Sequence, residues 1–272
     1  MTVRNHIATD LVVSPFEATG YELLEAVRCA EDSGFDGAWT LDHFSAGFAK
    51  KEWSHEPFTL LGAFAARTNQ IRIGPLVANM VNRHPVLLAS AISTLQSLAG
   101  GRAVVGLGTG AAPGSRFAQE QDAIRRTLTD TEDRCQHLIE VISSLRVLWD
   151  GGQDFEGKFV FFEGLKGVVE KQEPPPLIIG ANSTRMVELA LNHADGVNIR
   201  VSSHVHELLK VAREGRGERK FEISVHENFD LGHPTGGDTE TWITAGVDRR
   251  TLTIVAPFDL KKLSDIGKRL NT

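Results

Sequence analysis

Asp42 and His43 are the residues whose types and positions are best suited to chemistry. They follow the apolar run Gly37–Leu41, where a predicted strand ends. An imidazole titrates near neutrality and can donate or accept a proton, while a carboxylate can fix a ligand hydroxyl or amide. Structural interpretations stay open, because Asp42 could cap the next helix and a given histidine is more often structural than catalytic. The pair indicates a candidate catalytic residue, His43, beside a candidate binding residue.

Three later segments combine small and polar residues that suit a bound ring or phosphate. Pro75 lacks the N–H of a strand residue, which predicts a bulge that turns nearby groups toward a ligand. The glycines between 106 and 110 leave room for a planar ring against the backbone. The residues after Gly180 precede a helix whose free N–H groups suit a phosphate, although an ordinary N-cap explains them equally well. The candidate binding residues are Leu76, Val77, Ala78, Asn79, Gly108, Thr109, Gly110, Gly180, Ala181, Asn182, Ser183 and Thr184.

The elements that must position these residues alternate along the chain. Short apolar, β-branched runs predict strands, and a capped amphipathic stretch after each run predicts a helix. Eight such pairs favour a closed (β/α)₈ TIM barrel, which has no sheet edges, over an open doubly wound sheet. The predicted strands are Ile7–Val13, Gly37–Leu41, Ile71–Val77, Ala103–Leu107, Leu177–Gly180, Gly196–Arg200, Glu222–His226 and Thr251–Ala256.

One barrel domain is expected to occupy residues 1–272, with insertions at about 111–130 and 153–175. Loops of this length are typical of lids and binding segments, with disorder as the alternative. The first insertion follows the fourth strand, on the face where barrel enzymes hold their sites. Arg200, His226 and Asn228 end later strands and are expected on that face, either lining the pocket or on a solvated rim.

The composition favours a small-molecule substrate. The formal net charge is -6 and the basic residues are interspersed with acidic ones, which argues against a nucleic acid partner. The sequence shows no signal-peptide pattern and no apolar run long enough to cross a membrane, so we expect a cytoplasmic protein. Cys29 and Cys135 are the only cysteines and have no metal-ligand spacing, which predicts neither a disulfide nor a metal site.

Several segments occur together in an order that is specific as a set. They are Ser33–Trp39 with Asp42–Phe44, Ile73–Gly74 with Arg83–Pro85, Leu98–Arg102 with Gly106–Gly110, and Pro176–Ala181 with Ala194–Gly196. In combination they resemble the luciferase-like monooxygenase superfamily, especially its flavin- and F420-dependent branches. The resemblance covers most of the chain.

The resemblance implies a coenzyme, either F420 (a deazaflavin) or FMN, at the barrel mouth, with its phosphate near residues 180–184. It implies a non-prolyl cis peptide near Leu76–Val77, and a homodimer, since members commonly dimerise. In the deazaflavin branch, the residue matching Asp42 contacts the coenzyme and the one matching His43 assists proton or hydride transfer. Ala111 stands where sugar-phosphate dehydrogenases of that branch carry a glutamate, which argues against their activity.

The favoured hypothesis is therefore a flavin- or F420-dependent oxidoreductase or monooxygenase acting on a small organic substrate. The alternative is a flavin-binding protein of the same fold without turnover. A barrel hydrolase or aldolase is a weaker hypothesis, because neither metal-ligand spacing nor a Schiff-base lysine at a strand end is evident. The residues leave open the substrate, the coenzyme and the type of reaction.

Overall fold

The computed structural model describes residues 7–127, 130–228 and 239–270. Strands and helices alternate along most of these residues, as the sequence predicts. The strands are β1 (Ala8–Val13), β2 (Gly37–Thr40), β3 (Arg72–Pro75), β4 (Ala78–Asn79), β5 (Val105–Gly108), β6 (Phe155–Glu156), β7 (Phe161–Phe162), β8 (Leu177–Ala181), β9 (Gly196–Arg200), β10 (Glu222–Asn228) and β11 (Arg249–Ile254). The α-helices are α1 (Gly20–Asp32), α2 (Pro57–Arg67), α3 (Pro85–Leu98), α4 (Gln119–Ala123), α5 (Thr131–Trp149), α6 (Thr184–His193), α7 (Val205–Arg216), α8 (Thr239–Thr244) and α9 (Leu260–Leu270). None of the helices in these ranges is both long and apolar enough to span a lipid bilayer.

The principal sheet is parallel and nearly closed. Its nine strands lie in the order β3-β2-β1-β11-β10-β9-β8-β5-β4. Only Leu76 and Val77 separate β3 from β4, so these two strands occupy one position of the barrel. An isolated bridge between Ile73 and Ala103 brings β3 beside the chain that leads into β5. The predicted (β/α)₈ barrel is confirmed, with one of its eight strand positions divided in two.

Local residue chemistry explains where the outer helices begin. Thr19 and Glu22 form a reciprocal capping box before α1, so two backbone N–H groups at the helix start are satisfied. Pro57 and Pro85 stand in the first turns of α2 and α3, where a missing N–H costs nothing. The Asp130 carboxylate accepts hydrogen bonds from the first turn of α5.

Several predicted strand boundaries differ from the structure by one or two residues. The predicted strand Ile71–Val77 stops at Pro75, which cannot donate a ladder hydrogen bond, and resumes at Ala78. The predicted strand Ala103–Leu107 starts two residues later, and β11 begins at Arg249 rather than Thr251 because it pairs along the whole of β1.

The two expected insertions contain secondary structure. Within 111–130 a short 3₁₀ helix, Arg116–Ala118, leads into α4, while residues 128 and 129 lie outside the described ranges. Within 153–175, β6 and β7 form an antiparallel hairpin in which the Phe155 and Phe162 rings stack at 5.9 Å. The described parts of both segments therefore contain secondary structure rather than loop alone.

An apolar layer fills the middle of the barrel. Its buried members are Val12, Trp39, Leu76, Val104 and Ile178, which come from five different strands or strand ends. Larger apolar clusters lie between the strands and the surrounding helices. The interior is a packed core, as is usual for barrels of this size.

A buried ionic group lies at the amino-terminal end of the strands. The fully buried Asp10 carboxylate accepts hydrogen bonds from Trp39 (2.8 Å), Arg72 (3.0 Å) and Arg249 (2.5 Å). Arg72 also donates two hydrogen bonds to Glu222, at 2.7 and 2.8 Å. Although burial opposes ionisation of Glu222, Arg72 and Arg249 hold its pKa below the ordinary value. Buried side chains therefore fill the barrel at the amino-terminal ends of its strands, and the candidate site lies at their carboxyl-terminal ends.

Candidate active site

A cavity of about 510 Å³ opens at the carboxyl ends of β1, β2 and β11. Ser14, Leu41 and Thr253 lie at the ends of these strands and line it, together with Phe16 and Val255. In parallel barrels this face collects the residues that follow each strand, so side chains distant in sequence converge on it. The cavity adjoins the segment that carries Asp42 and His43.

His43 is held by a carboxylate from the first insertion. Its Nδ1 lies 2.8 Å from Oε1 of Glu120, a residue of α4 that is 4% exposed. The other oxygen of Glu120 accepts hydrogen bonds from the backbone N–H groups of Phe44 (3.1 Å) and Ser45 (3.2 Å). A carboxylate on Nδ1 favours a proton on that nitrogen, which leaves Nε2 to exchange a proton with a ligand.

The rings of Phe16, Phe48 and Phe117 form an aromatic wall beside His43. The Phe48 ring lies 4.3 Å from the imidazole and the Phe16 ring lies 6.1 Å from it, between ring centroids. Phe117 extends this wall, with its ring 5.2 Å from that of Phe48. The imidazole therefore has a charged partner on one edge and apolar faces elsewhere.

Asp42 lies beside His43 in the chain but points into a different environment. It is 3% exposed and accepts hydrogen bonds from Arg83 (2.5 and 3.1 Å) and from the backbone N–H of Asn79 (2.8 Å). Although burial opposes its charge, Arg83 has a raised pKa because Asp42 and Glu56 stabilise the guanidinium. Asp42 thus anchors the segment that follows the bulge, and both its oxygens have protein partners.

The Leu76–Val77 peptide is cis, as the resemblance implied. Glycines on two other strands make room for this bulge. A Cβ atom at Gly108 would lie 2.6 Å from Cγ2 of Val77, and one at Gly180 would lie 2.9 Å from its Cγ1. The expectation that the glycines between 106 and 110 leave an open slot for a ring is therefore wrong at Gly108, because Val77 fills the space.

The other predicted binding residues border the bulge. Ala78 and Asn79 form β4 directly after it, and Asn79 Oδ1 accepts a hydrogen bond from the N–H of Val81. Thr109 follows β5, and Gly110 has φ +75° with its α-carbon packed against the buried Gln121 side chain. Only a glycine adopts this conformation without cost.

A helix start lies next to the bulge. Gly180 and Ala181 end β8, Asn182 follows, and Ser183 is the N-cap of α6, which begins at Thr184. The Ser183 side chain makes no capping hydrogen bond, so its hydroxyl and the first N–H groups of α6 are open to a ligand. This donor set fits a phosphate group.

His226, Thr253 and Arg200 lie together on the opposite part of the rim. The Nε2 of His226 lies 2.6 Å from Oγ1 of Thr253. Burial, with a smaller effect of the Arg200 cation, lowers the pKa of His226 to about 4, so its ring is neutral at physiological pH. The side chain of Asn228, which the sequence placed in the same group, lies outside the described residues.

A family model described as luciferase-like monooxygenase matches residues 3–226. The chain belongs to this family. Among its relatives in the luciferase-like monooxygenase family is a 5,10-methylenetetrahydromethanopterin reductase of Archaeoglobus fulgidus, 30% identical over 236 residues. That alignment covers 84% of this chain and 61% of the reductase, so the chain spans about three fifths of this relative's length.

Two further comparisons, one of sequence and one of structure, extend this result. An F420-dependent glucose-6-phosphate dehydrogenase of Nakamurella multipartita is 26% identical over 261 residues, covering 90% of this chain and 75% of the dehydrogenase. A solved F420-dependent secondary alcohol dehydrogenase superposes with a TM-score of 0.81 at 16% identity, covering 97% of this chain and 98% of its own. The latter likeness shows the shared fold.

Glu120 is the site residue that the sequence did not identify. The first insertion was expected on the mouth face, and a carboxylate is an ordinary partner for a catalytic imidazole. However, Glu120 and Asp122 lie two positions apart on the same short helix, and the pattern does not show which side chain turns inward. Only the packing of α4 against the segment after β2 decides it.

Proposed function

We propose that this protein is an oxidoreductase that binds F420 or FMN at the barrel mouth and acts on a small organic substrate. The observation that carries the proposal is the His43–Glu120 pair beside the cavity at the carboxyl ends of the strands. Family membership and relatives such as the F420-dependent glucose-6-phosphate dehydrogenase support it, and they favour F420 over FMN.

Several of the predicted residues then have a defined task. The α6 start with Ser183 and Thr184 would bind the coenzyme phosphate, while the bulge at Leu76–Val77 and the residues of β4 would support one face of its ring. The bound coenzyme supplies hydride transfer at its ring. His43, oriented by Glu120, exchanges the accompanying proton with the substrate through Nε2. Asp42, which the sequence predicts to contact the coenzyme, would support its binding by fixing the backbone of Asn79.

The aromatic wall would keep water away from the reacting atoms. Phe16 and Phe48 pack against His43, so the proton is exchanged in a largely apolar setting. Charges and dipoles act more strongly there than in water. The Glu120 carboxylate would stabilise the imidazolium that forms when His43 accepts a proton.

We also propose that residues 1–272 form a single barrel domain that acts in the cytoplasm and associates as a homodimer. The continuous nine-stranded sheet supports the single domain, and the family's common dimerisation supports the dimer. Light scattering coupled to size-exclusion chromatography tests the association, and a molecular mass of one chain would contradict it.

The deciding experiment is equilibrium binding of F420 and of FMN, each oxidised and reduced, followed by the fluorescence or absorbance of the ring. We expect tighter binding of F420, weakened by Thr184→Val and little changed by Ser264→Ala on the outer helix α9. Binding of neither coenzyme contradicts the proposal. Tight binding with no oxidation of any organic substrate would favour the alternative of a binding protein without turnover.

A further inference from the structure

The mouth of the barrel has two sides. The bulge and the glycine-rich turns occupy the ends of β4, β5 and β8, whereas Arg200, His226 and Thr253 occupy the ends of β9, β10 and β11. Three strand positions separate β2 from β9 in either direction around the sheet, so Arg200 lies across the barrel from the segment carrying His43. The second side is not used by the coenzyme-binding residues proposed above.

Arg200 presents an available positive charge on this side. Its side chain is exposed and makes no ion pair or hydrogen bond with any residue in the described ranges. Other cations of the same face are engaged, since Lys51 pairs with Glu17 and Arg83 pairs with Asp42. An arginine fork binds a planar oxyanion through two parallel hydrogen bonds.

His226, held by Thr253, adds a neutral donor beside that charge. Strand register places His226 directly opposite Arg200 on the neighbouring strand. The Thr253 hydroxyl is hydrogen-bonded to Nε2 of His226, whereas Nδ1 of His226 has no partner within the described part of the chain. If Thr253 donates its hydroxyl proton to Nε2, the neutral ring carries its own proton on Nδ1 and can donate it to a ligand.

We propose that Arg200, His226 and Thr253 form the substrate subsite, and that they bind the carboxylate of an organic acid whose remaining part is apolar. The proposal rests on the proposed function, since it names the substrate class of the same mouth. One guanidinium and one neutral donor match the single charge of a carboxylate, whereas a phosphate monoester at neutral pH carries nearly two. The apolar part would lie in the adjoining cavity against Phe16 and Leu41.

The test measures binding of hexanoate and benzoate by calorimetry, to the protein with and without F420. Hexanamide and hexyl phosphate are the comparison ligands. We expect both carboxylates to bind more tightly than hexanamide, and Arg200→Gln to weaken them about tenfold or more, as loss of a charge-assisted hydrogen bond predicts. Arg200→Lys should weaken binding less than Arg200→Gln does, because lysine keeps the positive charge but lacks the planar guanidinium that donates two parallel hydrogen bonds.

The control is Arg213→Gln, which removes the same charge from an exposed position of α7, and it should leave carboxylate binding unchanged. Equal carboxylate affinity in the wild type and Arg200→Gln overturns the proposal. So does the absence of carboxylate binding in both forms, or tighter binding of hexyl phosphate. Coenzyme affinity is measured separately by fluorescence, so failure of the proposed function is distinguished from failure of this subsite.

Discussion

The Nδ1 of His43 and Oε1 of Glu120 lie 2.8 Å apart, although 77 residues separate them in the chain. This contact joins the segment after β2 to the insertion after β5. It gives the candidate catalytic imidazole a fixed orientation and a preferred protonated nitrogen.

Replacement of either partner should lower turnover. We expect His43→Ala to reduce kcat by about 100-fold or more, the usual contribution of a general acid or base. Glu120→Gln keeps the shape but removes the charge, and we expect about a tenfold reduction in kcat with a smaller change in KM. Steady-state kinetics with the substrate found by screening measures both.

A double variant separates positioning from a merely structural role. If Glu120 acts through His43, Glu120→Gln should lower kcat no further in an enzyme that already carries His43→Ala. Additive losses in the double variant would contradict this. Melting temperatures of the three variants show how much of each loss reflects the hydrogen bonds from Phe44 and Ser45.

Gly108→Ala should destabilise the fold by about 1–3 kcal/mol, because the new methyl group overlaps Val77. Adding Val77→Ala should recover part of the loss by emptying the same space. Denaturant unfolding measures both effects. Gly20→Ala is the matched control, since nothing lies within 4 Å of the added atom at the start of α1. A stable Gly108→Ala variant would show that the contact does not constrain the strand.

Acidification should destabilise the protein through His226. Burial lowers its pKa to about 4, below the unfolded value, so the unfolded state gains a proton first as the pH falls. The contribution of His226 to the free energy of unfolding is fully present above about pH 6.5 and is lost progressively toward pH 4. About 2 kcal/mol of it is lost between pH 7 and pH 5. His226→Gln should remove that part of the pH dependence, measured by urea unfolding at both pH values. Identical pH dependence in the two proteins would exclude His226 as the cause.

Asp10→Asn should destabilise the barrel by about 3–5 kcal/mol, because it removes the fully buried carboxylate that Arg72 and Arg249 share and leaves Glu222 to balance both guanidinium groups. Asp265→Asn provides the comparison on the outer surface, where the Lys261–Asp265 pair is largely exposed. There we expect a much smaller loss of stability, because solvent screens the exposed pair. Chemical denaturation measures both, and similar losses at the two sites would argue against a special role for the buried group.

The sequence was sufficient for the barrel and for the place of His43, since both depend on local patterns of apolar and polar residues. It could not identify Glu120, whose orientation depends on how a short helix packs against a distant segment. The glycines posed a related problem. Their pattern showed that space exists beside the backbone at Gly108, but only the fold shows that Val77 occupies that space.

The ionic group around Asp10 and the apolar layer above it make the barrel a cup rather than a tube. Whatever enters must leave by the same rim, so two ligands bound on opposite sides of the mouth share a single opening to solvent. Neither of them can be replaced through the base of the barrel.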